Sequence, residues 1–241
     1  MIEIRHPSAG DIRSAYNAIY RSAPLVQCDY FYKWLLDVLK LQTSKRLLDI
    51  SCGVGMLLKF AGDAGLQAYG IDISDAAVKE AKRRAPLAKV VVGNGEALPY
   101  PDGSFDYVTN IGSLEHYEHP TKGVQEIARV LRADGKACIL LPNSYGLLWN
   151  IAHVWRTGDI CDDGQPIQRY ATRKEWQRLL EDNGLAVRQV VPYDRALPRT
   201  QRDWLWYLRR PRKLLTSLLV IPFIPTNLAS TFLFICKKGR S

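Results

Sequence analysis

Apolar and polar positions along the chain alternate between two periods. Residues 46–50, RLLDI, form a short apolar run with one acid near its end, the pattern of a strand buried in a parallel sheet. Residues 51–55, SCGVG, are small, and a helical period begins at Met56. Residues 67–72 read as a second strand that again ends in an acid, and Gly65 before it stands where a helix C-terminal glycine belongs. The alternation continues with Ser74 as N-cap of a helix over 75–84, Pro86 beyond its end, and a strand over 89–93. A loop over 94–99, a strand over 104–110, and a helix from 120 to 131 that stops at Asp134-Gly135 follow. A strand over 136–141 is closed by Pro142. Thr172-Arg173-Lys174-Glu175 is a capping box that opens a helix to Asn183-Gly184. Strands over 185–191 and 230–237 complete a set of seven, interleaved with helices. The fold class this predicts is α/β, with a doubly wound, Rossmann-like, mostly parallel sheet.

Three stretches depart from this rhythm. The first forty residues carry helical patterns over 11–21 and 29–40, separated by Pro24. Residues 143–171 have little pattern and contain Tyr145, Trp149, Trp155, Asp162-Asp163 and Tyr170. An insertion after the fifth strand stands at the C-terminal edge of the sheet, where open α/β folds bind ligands. It reads either as part of an acceptor pocket or as a surface connection. Residues 195–229 interleave arginines with Trp204, Leu205, Trp206, Tyr207 and Leu208, then run apolar from Leu214 to Ile224 with breaks at Pro222 and Pro225.

The turn after the first strand of the sheet carries the candidate chemistry. Strand, small-residue turn and helix bring backbone N–H groups and a helix N-terminus against a nucleotide-like ligand. Gly53 and Gly55 let the backbone approach where a Cβ would obstruct. Asp72 ends the next strand about 20 residues on, where such folds place a carboxylate for ribose hydroxyls. A dinucleotide fingerprint is incomplete, because Leu58 stands at the position of its third glycine.

The order LLDISCGVG, YGIDIS, GNGEALPYPDGSFDYV and GSLEHYEHP resembles the class I S-adenosylmethionine-dependent methyltransferases, within them the type 11-like group that modifies small molecules and lipids. The resemblance covers roughly residues 40–192. It implies S-adenosylmethionine as cofactor and the N-terminal helices as a lid over its cleft. Tyr16 and Tyr20 then either touch the ligand or pack the lid. It also implies a final strand antiparallel beside the sixth. On the cofactor side it implies Asp49 near the amino-acid end, a cradle of Ser51, Gly53 and Gly55, and Asp72 on the ribose hydroxyls. Ile73 packs on the adenine, and Asn94 accepts from the adenine amino group with Gly95 and Glu96 adjoining. Asn110 and Ile111 line the methionine end. The family usually has glycine at Ser51; a positive φ there costs a serine about 1 kcal/mol or more. Glu115 and His116 are the catalytic candidates, since a histidine near neutral pKa can take a proton from a hydroxyl acceptor. His116 and His119 with Glu115 lack a further clear ligand, so no metal is expected. Asn110-Ile111-Gly112-Ser113 lacks the Pro-Pro-aromatic sequence of enzymes that methylate planar amino groups, which argues against base or glutamine methylation.

Charge then separates the tail from the rest. The net charge is +9, and residues from Arg195 onward hold ten Lys or Arg against the single acid Asp203, so residues 1–194 sum to zero. Basic residues, tryptophans and a short apolar run suit either an anionic membrane surface, through residues 199–225, or a hairpin packed on its own domain or a second subunit. The apolar run is shorter than the roughly 20 residues a bilayer requires. Nucleic acid fits less well, given the aliphatic run and the lack of a nucleic-acid motif. Five scattered cysteines without a C-x-x-C pair read as reduced thiols of a cytoplasmic protein. No leader is expected at the N-terminus, which has no charged-then-apolar run with a cleavage site. The domain organisation expected is one unit over 1–241: lid helices over 1–42, a cofactor-binding core over 43–194, a basic apolar insertion over 195–229, and a final strand and tail over 230–241. The expected function is methyl transfer to oxygen or carbon of a small or lipid-linked acceptor. The alternatives are a non-catalytic member that binds cofactor or partner, and a nicotinamide-dependent oxidoreductase.

Overall fold

The computed structural model describes residues 1–6, 11–22, 26–194, 198 and 201–239, with only the main chain described at residue 202. Pro24, Arg195 and Arg199, used above, lie outside the described residues, as does the side chain of Arg202. In chain order the elements are β1 (Ile2–Arg5), α1 (Ile12–Ser22), α2 (Asp29–Leu39), β2 (Arg46–Ile50), α3 (Met56–Asp63), β3 (Gln67–Asp72), α4 (Asp75–Arg84), β4 (Lys89–Val92) and β5 (Phe105–Ile111). They continue with α5 (Pro120–Val130), β6 (Leu131–Pro142), α6 (Ala152–Thr157), β7 (Ile167–Tyr170), α7 (Arg173–Glu181), β8 (Leu185–Tyr193), α8 (Gln201–Leu208), α9 (Pro211–Leu219) and β9 (Thr231–Lys238).

The main sheet has seven strands in the order β4-β3-β2-β5-β6-β9-β8. β4, β3, β2, β5 and β6 run parallel, and β9 is antiparallel to both β6 and β8. This is the doubly wound sheet expected, and its order reverses between β2 and β5. Alternate side chains of β2 feed two cores: Leu48 and Ile50 join Trp176 and Leu180 of α7 on one face, while Leu47 joins Leu58, Val78 and Ala81 on the other. A third cluster joins Tyr30, Phe31 and Leu35 of α2 to Tyr207 of α8 and Leu233 of β9.

The caps follow the sequence. The Ser74 hydroxyl accepts from Ala77 N–H, and Thr172 and Glu175 form a reciprocal capping box. Two expectations need correction. The helix from 120 ends at Val130, because Leu131 turns extended and is fully buried opposite Phe105 as the first residue of β6. The stretch 143–171 is not merely irregular. Its Ile167–Tyr170 segment is buried along its length and pairs antiparallel with Ile2–Arg5, a two-stranded sheet with too little alternation to be read in advance.

Candidate active site

At the switch point between β2 and β5, the C-terminal ends of the strands open into a cavity of about 700 Å³. Its walls are Ile12, Tyr16 and Tyr20 of α1, the turn after β2, the ends of β3 and β5, and residues of α2. Of the residues singled out in the sequence, Asp49, Ser51, Gly53, Asp72, Ile73, Asn94, Gly95, Glu96, Ile111 and His116 stand on this wall. Gly55, Asn110 and Glu115 are not among the residues that line it.

The turn after β2 is left-handed at three positions: Ser51 at φ 60, Gly53 at φ 51 and Gly55 at φ 77. Ser51 therefore adopts the conformation that disfavours a side chain, and its Oγ lies 3.0 Å from the Tyr117 hydroxyl, a hydrogen bond that offsets the cost. The two glycines serve different needs. A Cβ on Gly53 would stand 2.9 Å from the Tyr20 hydroxyl. A Cβ on Gly55 would stand 2.9 Å from the Ala81 backbone, so that glycine lets α3 and α4 approach rather than a ligand.

Asp72 is buried and both of its carboxylate oxygens are engaged. Oδ2 accepts from Gly53 N–H at 2.8 Å and Oδ1 from Ser74 N–H at 2.9 Å. Burial pushes its pKa up, and these two N–H groups oppose the rise. Each oxygen retains acceptor capacity for a ligand hydroxyl. Asp49 accepts from the Thr109 hydroxyl at 2.7 Å, and burial raises it to about 7, against the pull of that bond and with the Asp72 charge adding to the rise. The Asn94 oxygen already accepts from Glu96 N–H at 2.9 Å, closing the loop after β4. Glu96 in turn accepts from His119 N–H at 3.1 Å.

Helix α1 is tied to the same edge. Asn17 Oδ1 accepts from the Ser74 hydroxyl at 2.7 Å and from Ala76 N–H at 3.1 Å. Arg13 forms a bidentate pair with Asp75. These bonds hold Tyr16 and Tyr20 over the cavity. Tyr16 also donates to Gln165 at 3.2 Å, so the stretch after β6 reaches the cavity.

The loop after β5 holds the titratable pair. Asn110 caps it: its oxygen accepts from Leu114 N–H at 3.0 Å and its amide donates to the Tyr117 hydroxyl at 3.0 Å. His116 Nδ1 lies 2.5 Å from the Ile167 carbonyl, which can only accept, so Nδ1 carries the proton. Burial lowers the pKa of His116, and the neutral ring keeps a lone pair on Nε2. Glu115 Oε1 is 3.8 Å from Nε2 and Asp163 is 4.0 Å from it. Burial pushes Glu115 up to about 8, Asp163 adds to the rise, and its Oε2 has no partner within the protein.

Two residues of this arrangement were missed in the sequence. Tyr117 joins Ser51 to Asn110 through one hydroxyl and lies within the quoted motif GSLEHYEHP, where its position was the available signal. Arg169 is buried and donates to the carbonyls of Glu115, Tyr117 and Glu118 and to the Glu3 carboxylate. It fixes the loop that presents His116, and nothing in the unpatterned stretch around it marked it.

The sheet order, the antiparallel seventh strand and the glycine turn facing an acid at the end of β3 define the class I methyltransferase fold. A family described as methyltransferase domain matches residues 48–139. A demethylmenaquinone methyltransferase of Renibacterium salmoninarum is 30% identical over 129 residues, 54% of this chain and 54% of that protein. A 27-O-demethylrifamycin SV methyltransferase of Amycolatopsis mediterranei is 33% identical over 162 residues, 63% of this chain and 57% of that protein. Among solved structures, the [4+2]-cyclase SpnF superposes with a TM-score of 0.69 at 17% identity, covering 99% of each chain. The chain spans about half the length of these curated relatives. Over residues 48–139 the chain thus resembles the S-adenosylmethionine-dependent methyltransferases in sequence, and along nearly its whole length it shares the fold of the solved structures it superposes on.

Proposed function

We propose that this chain transfers a methyl group from S-adenosylmethionine to oxygen or carbon of a small or lipid-linked acceptor. One observation carries the reading: Asp72 with Gly53, and a histidine with a free Nε2 lone pair, face one cavity. Relatives named for a demethylated menaquinone and a demethylated rifamycin support a small organic acceptor. The cavity fits the cofactor on its own features, since Gly53 leaves open the space a Cβ would fill and the Asp72 oxygens keep acceptor capacity. When bound, S-adenosylmethionine supplies an electrophilic methyl group whose departure leaves a neutral thioether.

Asp72 takes the ribose hydroxyls, Ile73 the adenine face, and Asn94 with Gly95 and Glu96 the adenine edge. Asp49, Ser51 and Ile111 surround the amino-acid end. Gly55 and Asn110 act indirectly, by seating α3 and by capping the loop after β5. Such a reaction mainly needs alignment and exclusion of water, and Tyr16 and Tyr20 of α1 close that side of the cavity. His116 Nε2 takes the proton from a hydroxyl acceptor, with Nδ1 anchored on the Ile167 carbonyl. Glu115 is held protonated by burial at neutral pH, and its carboxyl beside Nε2 ionises more readily once His116 is charged.

Calorimetry with S-adenosylmethionine, using NADH as the control, tests the reading. A micromolar constant for the first and none for the second is the expected result. Binding of neither would return the chain to the non-catalytic alternative.

A further inference from the structure

The hairpin of α8 and α9 has two unlike faces. Its inner face is buried against α2: Tyr207 is fully buried, its ring centroid 5.8 Å from that of Tyr30. Its outer face exposes large apolar side chains, among them Trp204, Leu205 and Leu208 of α8, Leu218 and Leu219 of α9, and Phe223 just beyond, which is 81% exposed. Arg209, Arg210 and Arg212 are exposed at the corner between the two helices. The Arg210 guanidinium lies 4.5 Å from the centre of the Trp206 ring.

We propose that this outer face docks on the surface of an anionic lipid bilayer. Apolar area of this kind left in water marks a contact surface. Its charge has one sign: from Trp204 to Gly239 the sequence contains no Asp or Glu, and the preceding acid, Asp203, is buried. A second copy of the chain meeting this face symmetrically would set arginines against arginines, whereas anionic headgroups complement them. Tryptophan and arginine beside exposed leucine and phenylalanine match the layering of a membrane interface, with aliphatic groups in the acyl boundary and cations among the headgroups. The helices suit lying in that layer rather than crossing it. They have 8 and 9 residues, about 12–14 Å of helix, and among the described residues no helix is long and apolar enough to cross a membrane.

The hairpin also shares a wall with the cavity. Tyr30 packs on Tyr207 and Trp206, and the next two residues of α2, Phe31 and Tyr32, line the cavity. A docked molecule therefore holds that wall near the bilayer. The lipid-linked branch of the proposed acceptor class gains from this placement, while docking itself requires no methyl transfer.

Vesicle flotation tests the proposal with the full chain. The expected result is flotation with vesicles of phosphatidylglycerol and phosphatidylcholine, none with phosphatidylcholine alone, and release by high salt. Arg209→Gln with Arg212→Gln should weaken partitioning about thirtyfold. Leu208→Ser with Phe223→Ser, at exposed positions, should weaken it while melting temperature and S-adenosylmethionine affinity are retained. No flotation, equal flotation on neutral vesicles, or variants that float like the parent would overturn the proposal. A lipid-free dimer that Phe223→Ser dissociates would also overturn it, assigning the face to a second copy.

Discussion

The backbone N–H of Gly53 donates to the Asp72 carboxylate over 2.8 Å, joining the turn after β2 to the end of β3. The same carboxylate receives Ser74 N–H at the start of α4. One buried acid thus shapes two loops before any ligand arrives. Asp72→Ala removes both bonds and the acceptor proposed for the ribose hydroxyls. Affinity for S-adenosylmethionine should fall by about 1–3 kcal/mol, measured by calorimetry. Unchanged affinity would show that the cofactor is held elsewhere.

Gly53 and Tyr20 form a second pair open to test. Alanine at Gly53 combines a left-handed backbone with a Cβ 2.9 Å from the Tyr20 hydroxyl. Gly53→Ala should cost about 1–2 kcal/mol of stability and weaken cofactor binding. Adding Tyr20→Phe removes the crowding oxygen but not the backbone strain, so the double variant should recover part of the loss. Denaturation midpoints of the four proteins in the cycle give the coupling.

Much of this was legible in the sequence because it depends on local rules. Seven strands, the Ser74 and Thr172 caps and the acid at the end of β3 follow from periodicity and side-chain chemistry over a few residues. The resemblance supplied the antiparallel placement of β9, which no local pattern contains. What escaped depends on contacts distant in sequence. Arg169 meets carbonyls fifty residues away, and β7 is a strand only because β1 pairs with it. Gly55 stood in the motif but faces Ala81, a distinction that sequence spacing alone does not make.

Glu115 should make stability depend on pH. Its folded pKa is about 8 against an ordinary 4.5, from burial with Asp163 nearby. Below pH 4.5 the carboxyl is protonated folded and unfolded, and the fold bears no penalty. Between pH 4.5 and about 8 the unfolded chain gives up this proton while the folded one keeps it, so stability falls across that window and levels off above it, where the buried group is ionised too. Glu115→Gln removes that loss. The variant should match the parent at acid pH and exceed it by about 1–3 kcal/mol above pH 8. Thermal melts across this range supply the comparison; a gain that shrinks as pH rises would contradict it.

Arg169→Met should loosen the loop that presents His116. The guanidinium is buried and satisfies three carbonyls together with Glu3. Its loss leaves those carbonyls without a donor, and stability should drop by about 2–4 kcal/mol. Cofactor affinity should fall less than with Asp72→Ala, because Asp72 and Gly53 belong to other loops and the loosened loop reaches the proposed cofactor site only at its edges, through Tyr117 on Ser51 and His119 on Glu96. Calorimetry alongside urea denaturation separates the two effects.

β9 lies between β6 and β8 and bonds to both, although it follows them in the chain. A ribosome that has released the chain only as far as β8 has therefore released a sheet with a gap in it. Until residues 231–238 emerge, the flank of β6 has no neighbour, and Ile139 and Leu141 lack the aromatic residues that cover them. The arriving segment, TFLFICKK, is β-prone and apolar for five residues, with two lysines at its end as a brake on self-association. Nascent chains should depend on chaperones through this interval, and closure of the gap, a pairing distant in sequence, should set the pace of maturation.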